Sequence, residues 1–101
     1  MAELVVTERA LADITAVVTG LADIAGKRVS GRYARDFEAL FDRLVEFPSS
    51  GAPRPRLGRD IRLGIVTPYL VFYQDDRSAD IVRIVRVLHE KRHITRRLMR
   101  E

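Results

Sequence analysis

Two arginines and a histidine lie close together near the end of this sequence, and they are the side chains best suited to chemistry. Arg83 and Arg86 interrupt the otherwise apolar run Ile81–Leu88, and His89 follows that run directly. An arginine binds phosphate or carboxylate through its planar guanidinium, whereas a histidine titrates near neutral pH and can carry protons. We therefore look first for function in residues 69–92.

The elements that position these side chains are predicted to form a β-hairpin. Tyr69–Tyr73 and Ile81–Leu88 are rich in β-branched and aromatic residues, and the polar segment Gln74–Asp80 between them favours a turn. The second run is predicted to be a central strand buried on both faces. Alternation along that strand places Arg83 and Arg86 on opposite faces of the sheet, so they are not expected to form one clamp.

The first quarter of the chain predicts a strand followed by a helix. Glu3–Val6 is a short apolar run, predicted to be an edge or pairing strand. Thr7 can cap a helix that begins at Glu8, where a carboxylate suits the helix dipole. Apolar residues then recur every three or four positions and predict one buried stripe, made of Leu11, Ile14, Val18, Leu21 and Ala25.

A second helix is predicted from about Val29 to Glu46, and prolines and glycines end it. Its predicted buried face comprises Val29, Tyr33, Phe37, Leu40, Phe41, Leu44 and Val45. Gly51–Gly58 is predicted to be a loop, because Pro53 and Pro55 stiffen the chain and oppose helix. Arg59–Thr67 then resumes as a strand.

The order of these elements indicates the fold class. The sequence predicts β-α-α-β-β-β, and the final segment His89–Glu101 is predicted to form either a short basic helix or a basic tail. This is an α+β fold in which a helical hairpin packs on a small antiparallel sheet. The length predicts a single domain over residues 1–101, ending in a basic tail at residues 89–101.

Charge is divided unevenly along the chain. Residues 1–48 carry six basic and eight acidic side chains, whereas residues 49–101 carry twelve basic and six acidic ones, a net charge of +6. Such a surface attracts polyanions or an acidic protein. The cationic residues that we expect to bind a target or a partner protein are Arg54, Arg56, Arg59, Arg83, Arg86, Lys91, Arg92, Arg96 and Arg97.

Several classes of site are not expected. The sequence has no cysteine, which excludes disulfides and thiolate metal sites, and no apolar run long enough to span a membrane. His89 and His93 have the spacing of two metal ligands on a helix, but only Glu90 lies nearby as a third ligand. We therefore predict no metal, no cofactor and no membrane partner, and a cytoplasmic location.

Motifs in a fixed order give the chain a wider resemblance. It resembles the ParE/RelE superfamily of bacterial toxins from type II toxin–antitoxin modules over about residues 3–93. The matching features are Pro48 and Gly51, Pro53, Leu57-Gly58, Ile61-Arg62, Tyr69–Tyr73, Ile84–His89 and Arg92. The strand ending Arg86–His89 is most similar to the ParE branch.

Resemblance to the RelE branch implies one interpretation of the function. Its members are mRNA interferases that cut messenger RNA on the ribosome, a reaction that needs proton carriers and cations on the phosphate. That resemblance would assign His89 to proton transfer and Arg62 and Arg92 to the scissile phosphate. However, Leu70 stands where such enzymes carry an arginine, and no tyrosine follows Tyr73.

Resemblance to the ParE branch implies the interpretation of the function that we favour. Members of that branch are non-enzymatic inhibitors of DNA gyrase, so no catalytic residue is expected and His89 would be a structural residue at the strand end. A cognate ParD-like antitoxin holds the toxin inactive, and operator DNA is bound only through the antitoxin. Because residues 49–101 are basic, we expect the binding segment of the antitoxin to present acidic residues to Arg54–Arg62 or to the tail.

Overall fold

The computed structural model describes residues 1–100 and places two helices against one face of a five-stranded sheet. The helices and strands are, in chain order, β1 (Glu3–Val6), α1 (Glu8–Ala25), α2 (Lys27–Glu46), β2 (Ala52–Pro53), β3 (Ile61–Val66), β4 (Tyr69–Asp76) and β5 (Ile81–His89). Short 3-10 turns occupy Pro48–Ser50, Pro55–Leu57 and Arg96–Arg100. The α+β prediction is confirmed, and β2 and two 3-10 turns are additions to it.

The strands lie in the order β1-β5-β4-β3-β2, which makes β5 an inner strand. This position confirms the prediction of a central strand, and Val82 and Ile84 within it are completely buried. β1 runs parallel to β5, whereas the other neighbouring pairs are antiparallel. The sheet is therefore mixed and not purely antiparallel. A parallel pair needs a long connection, and two helices and three strands connect β1 to β5.

Helix α1 begins and ends as its sequence indicates, but its buried stripe differs from the prediction. The Thr7 hydroxyl accepts a 3.1 Å hydrogen bond from the Ala10 amide and so caps the helix. The single residue Gly26, at a φ of 89°, turns the chain from α1 into α2. Ala10, Ile14 and Val17 face the core, whereas Leu11, which was predicted to be buried, is 57% exposed. Ala10 is fully buried where α1 packs against β5.

The main core, here called the helix-side core, lies between the two helices and the sheet. Phe37, Leu40, Phe41 and Leu44 of α2 are buried in it, which confirms most of the predicted face of that helix. The strands contribute Val71, Tyr73, Val82, Ile84 and Val87. Apolar burial of this kind stabilises a fold by about 1.5–3 kcal/mol for each large side chain, and this core is the larger of the two apolar clusters.

A second apolar cluster, the tail-side core, covers the opposite face of the sheet. It consists of Ile61, Phe72, Leu88, Leu98 and Met99. Residues 90–100 leave the end of β5 and fold back over the sheet, so that Leu98 and Met99 are buried although both neighbouring arginines are exposed. Of the two predicted forms of this segment, the structure has the tail, which ends in a 3-10 turn that buries its two adjacent apolar residues.

A β-bulge in β5 changes the direction of its arginines. Phe72 of β4 pairs with Arg86, and the next residue, Tyr73, pairs with Ile84, so Val85 is an extra residue in β5. Gln74 pairs with Arg83, and it shares a face of β4 with Phe72. Arg83 and Arg86 therefore lie on the same face, and the prediction of opposite faces was wrong because alternation fails across a bulge.

Neither helix in residues 1–100 combines the length and the apolar character that crossing a membrane would require.

Candidate functional site

An apolar groove opens on the tail side of the sheet, between the segment that follows β2 and the start of the folded-back tail. Its volume is about 580 Å³, and its apolar lining consists of Leu57, Leu63, Leu70, Phe72 and Ile94. Arg54 and Arg56 line the same groove and are exposed, and in the sequence they alternate with the rigid residues Pro53 and Pro55. An apolar cleft flanked by guanidinium groups is suited to a peptide that carries both apolar and acidic side chains.

Four arginines line a neighbouring cavity of about 360 Å³, and Leu57 contributes to both hollows. They are Arg59, Arg83, Arg96 and Arg100. We call the face that carries the two hollows the tail-side surface. Arg83 donates a hydrogen bond to the Gln74 side chain and lies 3.7 Å from a carboxylate oxygen of Asp76, and a third of its side chain is exposed. The fold thus brings together arginines that lie as far apart in the chain as Arg54 and Arg100.

The remaining cations of the tail are exposed but do not line either hollow. Lys91, Arg92 and Arg97 lie on the segment that leaves β5 and folds back. The Arg92 amide donates a 2.9 Å hydrogen bond to the carbonyl of His89, which turns the chain as it leaves the strand. These side chains extend the positive charge of the tail-side surface beyond the sheet.

Arg86 does not belong to any exposed surface. Its side chain is 1% exposed, and its Nε lies 2.8 Å from Asp13 Oδ2 while its Nη2 lies 3.1 Å from Asp13 Oδ1. Its Nη1 donates a 3.0 Å hydrogen bond to the carbonyl of Leu98. A buried charge needs this degree of pairing, and a side chain so enclosed is not available to a partner protein. We therefore remove Arg86 from the expected binding residues.

Arg62 is bound to the turn that precedes β2. Its Nη1 donates hydrogen bonds to the carbonyls of Ser49 and Gly51, at 3.1 and 2.8 Å, and its Nε lies 3.5 Å from Asp75. Asp75 is itself 6% exposed and also lies 3.4 Å from Arg77. These contacts give Arg62 a structural role, because a guanidinium directed at backbone carbonyls is not directed at a substrate.

His89 lies at the opposite end of the sheet and is held by its own neighbours. Its Nδ1 accepts a 3.1 Å hydrogen bond from the Lys91 amide, and its ring meets the ring of Tyr69 edge to face at 5.6 Å. Tyr69 in turn meets Tyr33 edge to face at 5.8 Å. This arrangement fits a residue that ends a strand.

The fold does not bring together the three residues of the ribonuclease interpretation. Arg62 pairs with Tyr73 on β4, whereas His89 pairs with Tyr69. Four residues along a strand correspond to about 13 Å, and the two side chains also belong to strands on opposite sides of β4. Of the other two residues, Arg92 is close to His89, to whose carbonyl its amide donates a hydrogen bond. A proton carrier and a phosphate-binding cation must both reach one scissile bond, and His89 and Arg62 do not.

The two histidines singled out from the sequence are not brought together with a third ligand within residues 1–100. That part of the chain contains no group of three histidine, aspartate or glutamate side chains able to hold an ion. Residues 89–93 are not helical, so the four-residue spacing of His89 and His93 does not place them on one helix face.

Three important polar residues were not recognised from the sequence. Asp13 anchors Arg86, while Tyr73 and Asp75 organise the turn at residues 48–51. The Tyr73 hydroxyl donates to the carbonyl of Pro48 at 2.7 Å, and burial raises the pKa of this phenol above its ordinary value of 10.0. Only Asp13 had a signal in the sequence, since it is a single carboxylate within an apolar stretch of helix.

Known proteins share both this sequence pattern and this architecture. Residues 4–94 match the family model described as the ParE toxin of the type II toxin–antitoxin system parDE. The chain belongs to the ParE toxin family. No curated protein matches the chain in sequence.

A solved structure supports the fold of this ParE family member. The structure of a chromosomal ParDE toxin–antitoxin system from P. aeruginosa superimposes with a TM-score of 0.73 at 20% sequence identity. The match covers 88% of this chain and 96% of the other.

Proposed function

We propose that this ParE family member is a non-enzymatic toxin that inhibits DNA gyrase in the cytoplasm. The observation that carries the proposal is the tail-side surface, where arginines from three parts of the chain surround apolar hollows. Such a surface is complementary to an acidic protein surface, and the family supplies gyrase as the target. The separation of Arg62 from His89 further supports a mechanism by binding instead of by catalysis.

The exposed cations Arg54, Arg56, Arg59, Arg83, Lys91, Arg92, Arg96 and Arg97 are the residues that we propose for contact with the target or the antitoxin. They share one property, which is a guanidinium or ammonium group that is wholly or partly accessible to solvent. Their positive charge accelerates the encounter with an acidic partner, and the apolar hollows provide the contact area that slows dissociation.

Purified toxin added to DNA gyrase tests this proposal directly. We expect supercoiling of relaxed plasmid to fall as toxin is added. The same toxin should leave messenger RNA on translating ribosomes intact. Normal supercoiling together with codon-dependent cleavage of that messenger RNA would show instead a ribosome-dependent ribonuclease of the RelE type.

Charge-neutralised variants connect the activity to the surface. Replacing Arg92 and Arg96 by glutamine should weaken gyrase inhibition by about tenfold or more, because surface charges control association with an acidic partner. Replacing Arg28 and Arg32 by glutamine provides the matched control, since these two arginines are exposed on α2, on the other side of the sheet. Equal losses in the two double variants would show that only net charge matters.

We further propose that a ParD-like antitoxin neutralises the toxin by covering the tail-side surface with an amphipathic acidic segment. Its apolar side chains would occupy the groove lined by Leu63 and Phe72, and its carboxylates would meet Arg54 and Arg56. Binding to operator DNA belongs to the antitoxin in this proposal. The affinity of the two proteins should fall as salt is raised from 50 to 500 mM, and an affinity unaffected by salt would contradict the proposed charge pairing.

A further inference from the structure

A three-residue contact joins the helical hairpin, the central strand and the tail. Asp13 of α1 accepts both hydrogen bonds of the Arg86 guanidinium edge, and the opposite side of that guanidinium donates to the carbonyl of Leu98 at 3.0 Å. Asp13 Oδ2 also accepts a 3.0 Å hydrogen bond from the Val87 amide. The Asp13 carboxylate therefore binds the edge of β5 and also orients the Arg86 guanidinium.

The location of this contact follows from where β1 ends. β1 pairs with β5 only from Ile81 to Ile84, which leaves the next part of β5 without a neighbouring strand on that side. The first residue of β5 beyond this pairing is Val85, and its carbonyl accepts a 3.3 Å hydrogen bond from the Thr7 hydroxyl. Asp13 covers the amide of Val87, and the bulge at Val85 directs Arg86 to the tail side.

The tail has little regular structure of its own to determine its path. Residues 90–95 contain no helix or strand, and the 3-10 turn that follows has the Leu98 amide bonded to the carbonyl of Thr95 at 3.1 Å. Leu98 and Met99 bury apolar surface against Ile61 and Phe72, but apolar contact is not directional. The hydrogen bond from Arg86 is directional, and it fixes which carbonyl of the tail lies above the sheet.

We infer that Asp13 and Arg86 are positioning residues that hold the tail in register over the sheet, and so set the places of Arg96 and Arg100 on the tail-side surface. This inference rests on the proposed function in one respect, which is that the tail-side surface is the one that binds gyrase. Arg86 acts through the tail and does not touch the target. Asp13 acts through Arg86.

Hydrogen exchange measured by mass spectrometry on the full-length toxin tests the positioning role without any assay of activity. Asp13→Asn keeps an acceptor for the Val87 amide but removes the charge that holds Arg86. We expect exchange in residues 95–100 to become faster by about tenfold or more, with residues 30–45 of α2 unchanged, because local opening leaves the rest of the fold intact. Asp23→Asn, the same change at an exposed position on α1, should leave both segments unchanged.

Two further variants separate positioning from general stability. The pair Asp13→Asn with Arg86→Met replaces the buried charges by an apolar side chain of similar length, which proteins commonly tolerate, and still removes the bond to Leu98. It should reproduce the fast exchange of the tail. Phe41→Leu weakens the helix-side core, which the tail does not contact, and should accelerate exchange in all segments together.

The outcomes distinguish this inference from the proposed function. Faster exchange of the tail alone supports the inference, whereas equal acceleration of tail and helices in Asp13→Asn would overturn it and leave Asp13 with a merely structural role. Gyrase inhibition should fall together with tail protection across the series. A toxin whose tail is released but whose gyrase inhibition is unchanged would contradict the proposed function and leave the positioning role intact.

Discussion

The amide of Gly51 donates a 2.9 Å hydrogen bond to the hydroxyl of Tyr73, and no larger residue fits at position 51. A Cβ atom there would lie 2.5 Å from the hydroxyl oxygen and 2.8 Å from the carbonyl of Leu63. The Tyr73 hydroxyl also donates to Pro48, so one buried phenol binds both ends of the turn between α2 and β2. This turn carries the chain from the helices to the segment that bears Arg54 and Arg56.

We predict that Gly51→Ala lowers the free energy of unfolding by about 1–3 kcal/mol, the usual cost of forcing an extra methyl group into a packed site. Urea denaturation of the variant and the parent measures this difference. Gly20→Ala is the matched control, because nothing lies within 4 Å of a Cβ at that helical position. The control should gain about 0.5–1 kcal/mol from the better helix propensity of alanine. A Gly51→Ala variant as stable as the parent would show that the turn can move aside.

Tyr73→Phe should lower the free energy of unfolding by about 1–3 kcal/mol, because it removes the hydrogen-bond partner of the Gly51 amide and of the Pro48 carbonyl together. The variant keeps the ring within the helix-side core, so no cavity is formed. Urea denaturation at pH 7 measures the loss. Unchanged stability would mean that water replaces the hydroxyl at both partners.

Alkaline pH should weaken the parent protein through the same residue. Burial raises the pKa of Tyr73 above 10.0, so the unfolded chain loses this proton at a lower pH than the folded chain. Its stabilising contribution is complete below about pH 10 and is lost as pH rises through the folded pKa. Thermal unfolding from pH 8 to 11 should show a steeper decline in the parent than in Tyr73→Phe. Parallel curves would exclude a contribution from Tyr73.

Acidic pH should weaken the turn between β4 and β5. Hydrogen bonds from the Ser78 hydroxyl and the Ala79 amide, together with the nearby Arg83, hold the pKa of Asp76 below its ordinary value of 3.8. Because the folded pKa is depressed, the contribution of Asp76 is present above pH 3.8 and is lost as pH falls through the folded value. Asp76→Asn should flatten the dependence of unfolding on pH between 2 and 5. An unchanged slope would contradict this role for Asp76.

His89→Ala distinguishes the two functions considered for this chain, gyrase inhibition by binding and cleavage of messenger RNA. The imidazole accepts from the Lys91 amide and packs against Tyr69, so its removal should reduce stability slightly and leave most of the proposed gyrase inhibition. Removal of a general acid or base would instead lower a cleavage rate by about 100-fold or more. Titration of supercoiling inhibition and of ribosomal messenger RNA cleavage with the same variant provides both measurements.

The sequence predicts most of this fold because its elements have strong periodic patterns. The apolar face of α2 and the central position of β5 are confirmed, since the burial of Phe37, Leu44 and Ile84 requires them. The same reasoning fails at Val85, where an extra residue reverses the alternation that was used to place Arg86. Alternation along one segment does not reveal a bulge, and the groups that contact β5 beside it, Thr7 and Asp13, belong to the other end of the chain.

The candidate site was harder to predict than the fold. The uneven charge of the sequence indicated that cations of residues 49–101 form a surface, and the structure places Arg59, Arg83 and Arg96 around one cavity. The charge pattern did not indicate which arginine is buried, because Arg86 has its carboxylate partner on a helix 73 residues earlier. Long-range pairs of this kind leave no local pattern.

The parallel pairing of β1 with β5 also limits the order in which the sheet can form during synthesis. Glu3 pairs with Ile81, and Thr7 bonds to Val85 across 78 residues of chain. A growing polypeptide emerges from the ribosome beginning with its first residues, so β1 has no neighbouring strand until most of the protein has been made. The sheet, the buried Arg86–Asp13 pair and the folded-back tail can therefore form only after β5 and the residues that follow it have been made.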